Sequence, residues 1–222
     1  MFALTESDAH ASILGCGDGP ASFNAEATRR GMRVTSCDPL YRWSAPEIKQ
    51  RIAASYEPML EQARQNAADF VWDSIPSVEE LGRIRMAAMS DFLDDYERGK
   101  TEGRYVDAAL PELPFGDAAF DLAVCSHLLF LYTTQLGAAF HRAAISELCR
   151  VAAEVRIFPL LALDGRRSPY VDESVDAVRA PVTRGLPVGS PLSGFAVSIE
   201  RVPYEFQRGG NEMMRIRHTP PR

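Results

Sequence analysis

Three glycines at alternate positions, Gly15, Gly17 and Gly19, begin the part of the sequence best suited to bind a ligand. Glycine lets the backbone approach a ligand closely and adopt positive φ angles. The next segment, residues 21–30, carries helix formers and ends before Gly31, a residue type that commonly terminates helices. A helix that starts after such a turn presents free N–H groups and the positive end of its dipole. The turn is therefore the first candidate binding site.

Two acidic residues follow predicted strands. Asp38 closes the short strand-like run 33–37 and precedes Pro39, and Asp107 ends a second run at 104–107. A carboxylate at the end of a strand can accept hydrogen bonds from both hydroxyls of a ribose, and a second one can accept from an exocyclic amine. Open α/β sheets bind ligands at this edge. The alternative for each residue is an ordinary acid in a turn or loop.

Ser126 and His127 stand at the expected carboxyl end of the apolar run 120–126. A histidine there can act as general base toward a hydroxyl or thiol, because its unperturbed pKa lies near neutrality. The alternative role for His127 is to line the ligand pocket through a hydrogen bond. The sequence leaves both roles open.

These residues are positioned by an alternation of short apolar strands and amphipathic helices. Residues 11–15, the glycine turn, the helix at 21–30 and the strand at 33–37 form one βαβ unit. The alternation resumes after residue 100. Its predicted strands are 104–107, 120–126, 154–161, 194–203 and 211–218, and its predicted helices are 135–151 and 172–180. QRGGN joins the last two strands as a hairpin turn, so the pattern predicts a mostly parallel sheet with an antiparallel edge.

Residues 44–98 interrupt this alternation with two amphipathic helices. Ser44 with Glu47 and Ser77 with Glu80 have the spacing of capping boxes, which mark helix N-termini. Apolar residues recur at helical spacing after each box. The segment is too long for a simple crossover, and we interpret it as an insertion or a lid.

The glycine turn suits two classes of cofactor. A dinucleotide fingerprint, G-x-G-x-x-G/A, counted from Gly15 has Pro20 at its third position, where close helix–strand packing needs a small residue. Counted from Gly17, the same position is Ser22. Both counts disfavour a nicotinamide-dependent oxidoreductase. The run GCGDG instead satisfies G-x-G-x-G.

With this turn, Asp38, Asp107 and the run LPELPFGDAAFDLAVCSHLLFLY, the sequence resembles the class I S-adenosylmethionine-dependent methyltransferases. The resemblance is close over residues 11–160 and loose beyond. It implies a Rossmann-like α/β fold: a seven-stranded, mostly parallel sheet with one antiparallel strand, helices on both faces and the helical insertion. It also implies S-adenosylmethionine as cofactor. The implied cofactor-binding residues are Gly15, Cys16, Gly17, Gly19, Asp38, Pro39, Asp107, Ala108 and Ser126, and the candidate catalytic residue is His127.

The sequence departs from the family in three places. The family commonly has an acid two positions before the first glycine, and here that position is Ile13. The role of this acid would then pass to Asp18 or to a water. The first strand lies close to residue 1, so the helices at 44–98 are expected to cover the substrate. No D/N-P-P-Y sequence follows the fourth strand, which disfavours methylation of base or glutamine nitrogens.

Composition narrows the class of protein. The 222 residues are 46% hydrophobic and carry a net charge of −6, which disfavours nucleic-acid binding. The four cysteines form no CxxC pair and no metal-like cluster, which indicates reduced thiols, no metal and a cytoplasmic location. We also expect no membrane association.

The sequence thus predicts one domain, 1–222, that methylates a small molecule at O, N or S. The alternative is a non-catalytic module that binds an adenosyl cofactor or a protein partner. The acceptor and the oligomeric state have no signal in the sequence.

Overall fold

Seven strands form one sheet in the part of the chain that the computed structural model describes, residues 1–179, 192 and 194–219. The strands are β1 (Ser12–Cys16), β2 (Arg33–Cys37), β3 (Tyr105–Val106), β4 (Phe120–Ser126), β5 (Ala152–Phe158), β6 (Phe195–Arg201) and β7 (Glu212–His218). Their order across the sheet is β3-β2-β1-β4-β5-β7-β6. Strands β1 to β5 pair in parallel, and β7 runs antiparallel to both of its neighbours. The predicted seven-stranded Rossmann-like sheet with one antiparallel strand is confirmed.

The helices lie close to their predicted positions. They are α1 (Phe23–Arg29), α2 (Ala45–Gln65), α3 (Val78–Thr101), α4 (Ala138–Val151) and α5 (Tyr170–Arg179). Both capping signals mark real N-termini: Glu47 accepts from the Ser44 N–H at 2.9 Å, and Ser77 accepts from the Glu80 N–H at 3.1 Å. Among the described residues, no helix has the length and apolarity that crossing a membrane requires. Residue 180, the predicted end of α5, lies outside the described residues.

The chain changes direction across the sheet between β1 and β4. From β1 it proceeds to β2 and β3 on one side, and then returns to β4 and β5 on the other. Crevices for ligands form at such a switch point, outside the carboxyl ends of the strands. Four consecutive residues of each of these two strands are buried, as expected for a parallel sheet that is covered on both faces.

Helices α2 and α3 pack against the β2–β3 edge through a cluster of aromatic rings. Phe92 and Tyr96 of α3 are 0% exposed and contact Tyr41 and Tyr105. The Tyr96 hydroxyl also donates to the Tyr41 carbonyl at 2.8 Å. Because these rings form the core of that edge, α3 is tied to the sheet over its C-terminal half.

The N-terminal segment is held by a buried arginine. Arg156 of β5, 2% exposed, donates to the Phe2 carbonyl at 3.0 Å and to the Asp8 carboxylate at 3.0 and 3.1 Å. Glu154 accepts from its Nε atom and also from Arg215. A buried guanidinium with this many acceptors is fully paired, so it fixes the segment in front of the sheet.

Candidate functional site

The glycine turn lies at the carboxyl end of β1, directly before α1. Gly17 and Gly19 have φ angles of 69° and 56°, a conformation that favours glycine. The Gly17 N–H donates to the Cys37 carbonyl at 2.9 Å, and the Tyr41 hydroxyl donates to the Gly19 carbonyl at 2.8 Å. The turn is therefore fixed from the neighbouring strand and from the aromatic cluster below it.

Asp18 folds back into this turn. Its Oδ2 atom accepts a hydrogen bond of 2.5 Å from Ser36, and its carboxylate lies where a Cβ of Gly15 would be. Ile13, at the position where the family commonly has an acid, is 0% exposed and packs against Val34. Burial, together with the nearby charge of Asp38, raises the pKa of Asp18 to about 6, although the Ser36 hydrogen bond acts in the opposite direction. The acid of this turn thus comes from within the turn.

Asp38 links the turn to the end of β2. Its Oδ2 atom accepts from the Gly19 N–H at 2.9 Å, and its Oδ1 atom accepts from the Leu40 N–H at 2.7 Å. A carboxylate has about four acceptor sites, so two remain for a ligand. Burial raises the pKa of this carboxyl, while the two N–H donors lower it.

Two cavities open at the carboxyl ends of the strands, and Gly17 lies in the wall of each. The smaller one has a volume of about 180 Å³, and Asp38, Pro39 and Ala108 line it. Leu128 closes this cavity against the turn, since a Cβ at Gly17 would lie 2.5 Å from the Leu128 Cδ2 atom. The space beside Gly17 thus depends on the missing side chain.

The larger cavity has a volume of about 840 Å³ and mostly apolar walls. Asp18, Ser126 and His127 line it on the side of the sheet. The opposite wall combines Arg85, Ala88 and Met89 of α3 with residues 1–4. Of the two helices expected to cover the substrate, α3 lines this cavity. Residues 1–4 line it as well, which the sequence analysis did not predict.

The remaining predicted site residues differ in how far they are accessible to a ligand. Asp107 is exposed and lines neither cavity, although its charge raises the pKa of Asp38. Cys16 is 0% exposed, and its thiol lies 3.4 Å from the Cys37 sulfur in the core, so it offers a ligand only its backbone. Gly15 is buried in β1. Gly17 lines both cavities, as above.

His127 begins the segment after β4 in a left-handed backbone conformation, with a φ of 54°. Its N–H donates to the Phe158 carbonyl at 2.8 Å, and its Nδ1 atom lies 2.6 Å from the Ser126 hydroxyl oxygen. The ring lines the larger cavity, and burial together with the charge of Arg85 lowers the pKa of His127 to about 4. The imidazole is therefore neutral at pH 7. Non-glycine residues with positive φ are uncommon and concentrate at functional sites.

Sequence reasoning missed Arg85 and the turn support from Tyr41. Arg85 lies two positions after Arg83 on an amphipathic helix, where arginines are usual on a solvated face, so its type carried no signal. The Tyr41 hydroxyl donates to the Gly19 carbonyl, and its ring is buried in the core. Trp43, Tyr132 and Tyr170 line neither cavity.

The strand order, with the antiparallel strand β7 between β5 and β6, confirms the predicted fold class, that of the class I methyltransferases. The chain belongs to the family of MJ0045, an uncharacterized protein of Methanocaldococcus jannaschii. The two are 30% identical over 218 residues, which cover 98% of this chain and 90% of the relative. No family model matches the sequence.

Solved structures with a similar course of the chain include three methyltransferases. Magnesium protoporphyrin IX methyltransferase of Synechocystis PCC 6803 is 9% identical, with a TM-score of 0.45 over 95% of this chain and 71% of that chain. 1,6-Didemethyltoxoflavin-N1-methyltransferase of Burkholderia thailandensis is 15% identical, with a TM-score of 0.48 over 95% of this chain and 72% of that chain. A methyltransferase of Methanosarcina mazei is 13% identical, with a TM-score of 0.42 over 98% of this chain and 95% of that chain. Likeness at this level carries no information on acceptor or substrate.

Proposed function

We propose that this protein is an S-adenosylmethionine-dependent methyltransferase that acts on an O, N or S atom of a small molecule. The observation that carries the proposal is the pair of cavities that meet at Gly17. The smaller one has the carboxylate of Asp38 in its wall and suits an adenosine. The larger one, at about 840 Å³, has room for the methionine part and an acceptor together.

The residues present fit this cofactor. Asp38 has acceptor sites left for the two ribose hydroxyls, and Pro39 and Ala108 form apolar walls for the adenine. Asp107 stands outside this cavity, and we propose that it reaches the exocyclic amine from its rim. Within the turn, the backbone N–H groups of Asp18 and Ala21 bond to no described residue, and we propose that they bind the methionine carboxylate.

Asp18 is the proposed partner of the methionine ammonium. Its carboxylate lines the larger cavity beside Gly17, at the junction with the adenosine side. It takes the role that an acid at the position of Ile13 would have, because Ile13 points into the core. An ammonium beside a half-buried carboxylate favours the ionised form, so binding would lower the raised pKa of Asp18.

The bound cofactor supplies a methyl group on a sulfonium, a good leaving group, so this chain's residues contribute mainly orientation and water exclusion. Met89 and Ala88 cover the cavity opposite the turn, and residues 1–4 close its other side. His127 is neutral at pH 7 and can take a proton from an acceptor hydroxyl or thiol at its Nε2 atom, while Nδ1 faces Ser126.

The four cysteines, all within the described part of the chain, are free and buried, which supports a location in the cytoplasm.

The test is the affinity for S-adenosylhomocysteine, measured by calorimetry on the purified protein and two variants. We expect Asp38→Asn to weaken binding by at least about 10-fold, because a charge-assisted contact to the ribose is lost. Asp94→Asn is the control, since Asp94 is an exposed acid on α3 outside both cavities. Equal affinity in the wild type and Asp38→Asn would overturn the ribose assignment. No binding of the ligand at all would overturn the proposal.

Cofactor binding without methyl transfer is the second candidate function. One observation favours it: the acid at the turn is supplied by Asp18, whose raised pKa lowers its charged fraction near neutrality. Release of S-adenosylhomocysteine from S-adenosylmethionine in the presence of acceptor mixtures separates the two functions. Tight binding with no release in any mixture would favour the non-catalytic module.

A further inference from the structure

Arg85 is a cation that lines the larger cavity without an acidic partner. It has no ion pair and no side-chain hydrogen bond with any of the described residues, although the other two arginines of α3, Arg83 and Arg98, do have such partners. Arg83, two residues earlier on the same helix, donates two hydrogen bonds to the Glu80 carboxylate. Arg85 therefore lacks the local pairing that normally neutralises an arginine on a helix surface.

The groups around Arg85 supply no counter-charge to its guanidinium. Burial among the cavity walls lowers the pKa of its guanidinium, and the neighbouring groups that sense its charge are His127 and Tyr204. His127 is neutral at pH 7, and burial raises the pKa of the Tyr204 phenol, so neither supplies a negative charge. Arg85 is exposed to solvent and lines the cavity, and no described residue supplies its counter-charge, so an anionic group of a ligand in the cavity can pair with it.

Asp18 is the acidic residue in the wall of the same cavity, and it is engaged elsewhere. Its carboxylate is folded over Gly15 and accepts from Ser36, so it does not meet the guanidinium. The methionine carboxylate of the proposed cofactor has other donors, because the N–H groups of Asp18 and Ala21 bond to no described residue and both residues line this cavity. Once the ammonium and the carboxylate of the cofactor have these partners, neither of them is needed to pair with Arg85.

We infer that Arg85 binds a carboxylate, phosphate or sulfonate group of the methyl acceptor, whose remaining surface is apolar. The planar guanidinium offers five donors in a fork that matches such oxyanions in a bidentate manner. The apolar part of the acceptor would pack against Phe2, Phe23 and Met89 in the same cavity. This inference rests on the proposed function in one respect only, that the occupant of the cavity is the acceptor.

The experiment compares an anionic and a neutral probe with the same aromatic body. 1-Anilinonaphthalene-8-sulfonate carries the anion, and N-phenyl-1-naphthylamine lacks it; both fluoresce in apolar cavities and can be titrated. The proteins are the wild type, Arg85→Met, Arg85→Lys and the control Arg83→Met, each checked by circular dichroism and melting temperature. The titrations are run with and without saturating S-adenosylhomocysteine.

We expect Arg85→Met to weaken the sulfonate probe by about 10-fold and to leave the neutral probe within about twofold. Arg85→Lys should restore part of the loss, since the charge returns without the fork. Arg83→Met should change neither probe. Equal loss for both probes, or no loss for the sulfonate, would overturn the inference.

A further arm separates the acceptor from the cofactor as the source of the anion. 5′-Methylthioadenosine lacks the carboxylate of S-adenosylhomocysteine. Should Arg85→Met weaken S-adenosylhomocysteine about 10-fold and leave methylthioadenosine unchanged, Arg85 would bind the cofactor, and the inference would be wrong. If the protein binds neither adenosyl compound, the proposed function fails. The probe pair without added ligand then still decides whether Arg85 forms an anion site.

Discussion

The carboxylate of Asp18 occupies the space that a side chain at Gly15 would fill: a Cβ at Gly15 would lie 2.6 Å from the Asp18 Cγ atom. The glycine is needed here for close approach, because its φ is not in the left-handed region, unlike those of Gly17 and Gly19. The first glycine of the motif thus makes room for an acid of the same turn, and the two residues function as a pair.

Gly15→Ala should displace the Asp18 carboxylate and break its hydrogen bond to Ser36. We expect a destabilisation of about 1–3 kcal/mol, the usual cost of forcing a methyl group into a packed site. The affinity for S-adenosylhomocysteine should fall by at least about 10-fold, because the acid no longer stands beside the ammonium. Urea denaturation and calorimetry give the two values.

Gly116→Ala serves as the control for this substitution, since an added Cβ at Gly116 meets nothing within 4 Å. It should leave both stability and affinity close to the wild type. If Gly15→Ala behaves like Gly116→Ala, the Asp18 side chain is free to move away, and the pairing of these two residues has no energetic importance.

Asp18→Asn tests the electrostatic cost of the same acid. The pKa of Asp18 is about 6 in the folded protein and about 4 in an unfolded chain. The folded state therefore binds the proton more tightly, and Asp18 destabilises the protein as pH rises from about 4 to about 6. Asparagine can keep the Ser36 hydrogen bond without the charge. The variant should thus be more stable than the wild type at pH 7 and closely similar at about pH 4.

The measurement is the difference in unfolding free energy between Asp18→Asn and the wild type across this pH range. Taking the difference cancels other groups, notably His127, whose lowered pKa acts in the opposite direction. The variant should also bind S-adenosylhomocysteine more weakly at pH 7, because the charged partner of the methionine ammonium is lost. A substitution that stabilises the protein would then weaken ligand binding. A difference that does not change with pH would contradict the raised pKa.

The fold could be predicted from the sequence because its elements carry strong local signals. The apolar runs of β2 and β4 matched to the residue, and the serine–glutamate capping pairs placed the starts of α2 and α3. Boundaries without such signals were less accurate: β5 begins at Ala152 instead of 154, and α4 begins at Ala138 instead of 135. Around Ala152 a helix passes directly into a strand, without a glycine or proline to mark the change.

The candidate site could be predicted only where position in sequence fixes position in space. Asp38 and His127 follow strands, so the parallel sheet brings them to one edge. Arg85 and residues 1–4 reach the cavity through the packing of a helix and a terminal segment, which no spacing encodes. The fold-back of Asp18 depends on the buried Ser36 hydroxyl on the neighbouring strand, a contact between residues that are 18 positions apart.

His127→Asn should separate a proton-accepting role from a purely structural one. Asparagine tolerates the left-handed backbone at this position, so the fold should be kept while the base is lost. With an acceptor hydroxyl or thiol, kcat should fall by about 100-fold, with little change in the KM for S-adenosylmethionine. His10→Asn is the control, because His10 is exposed and lines neither cavity.

The pH profile of kcat provides an independent reading of His127. With a pKa of about 4, nearly all of the imidazole is neutral above about pH 5.5, so its neutral fraction hardly changes there. At saturating cofactor, kcat should therefore show no inflection near the usual histidine pKa of about 6.5. An inflection there that disappears in His127→Asn would show that the ring titrates as in water and that the cavity does not lower its pKa.

Ala88→Trp should block the larger cavity while sparing the smaller one. Ala88 lies on α3 in the wall opposite the turn, and an indole ring there would fill part of the 840 Å³ space. We expect methyl transfer to fall by at least about 10-fold, while methylthioadenosine, which needs chiefly the adenosine side, keeps its affinity. Ala87→Trp is the matched control, because Ala87 is the preceding residue, is exposed and lines neither cavity. Equal activity in the two tryptophan variants would mean that the acceptor does not enter between α3 and the glycine turn.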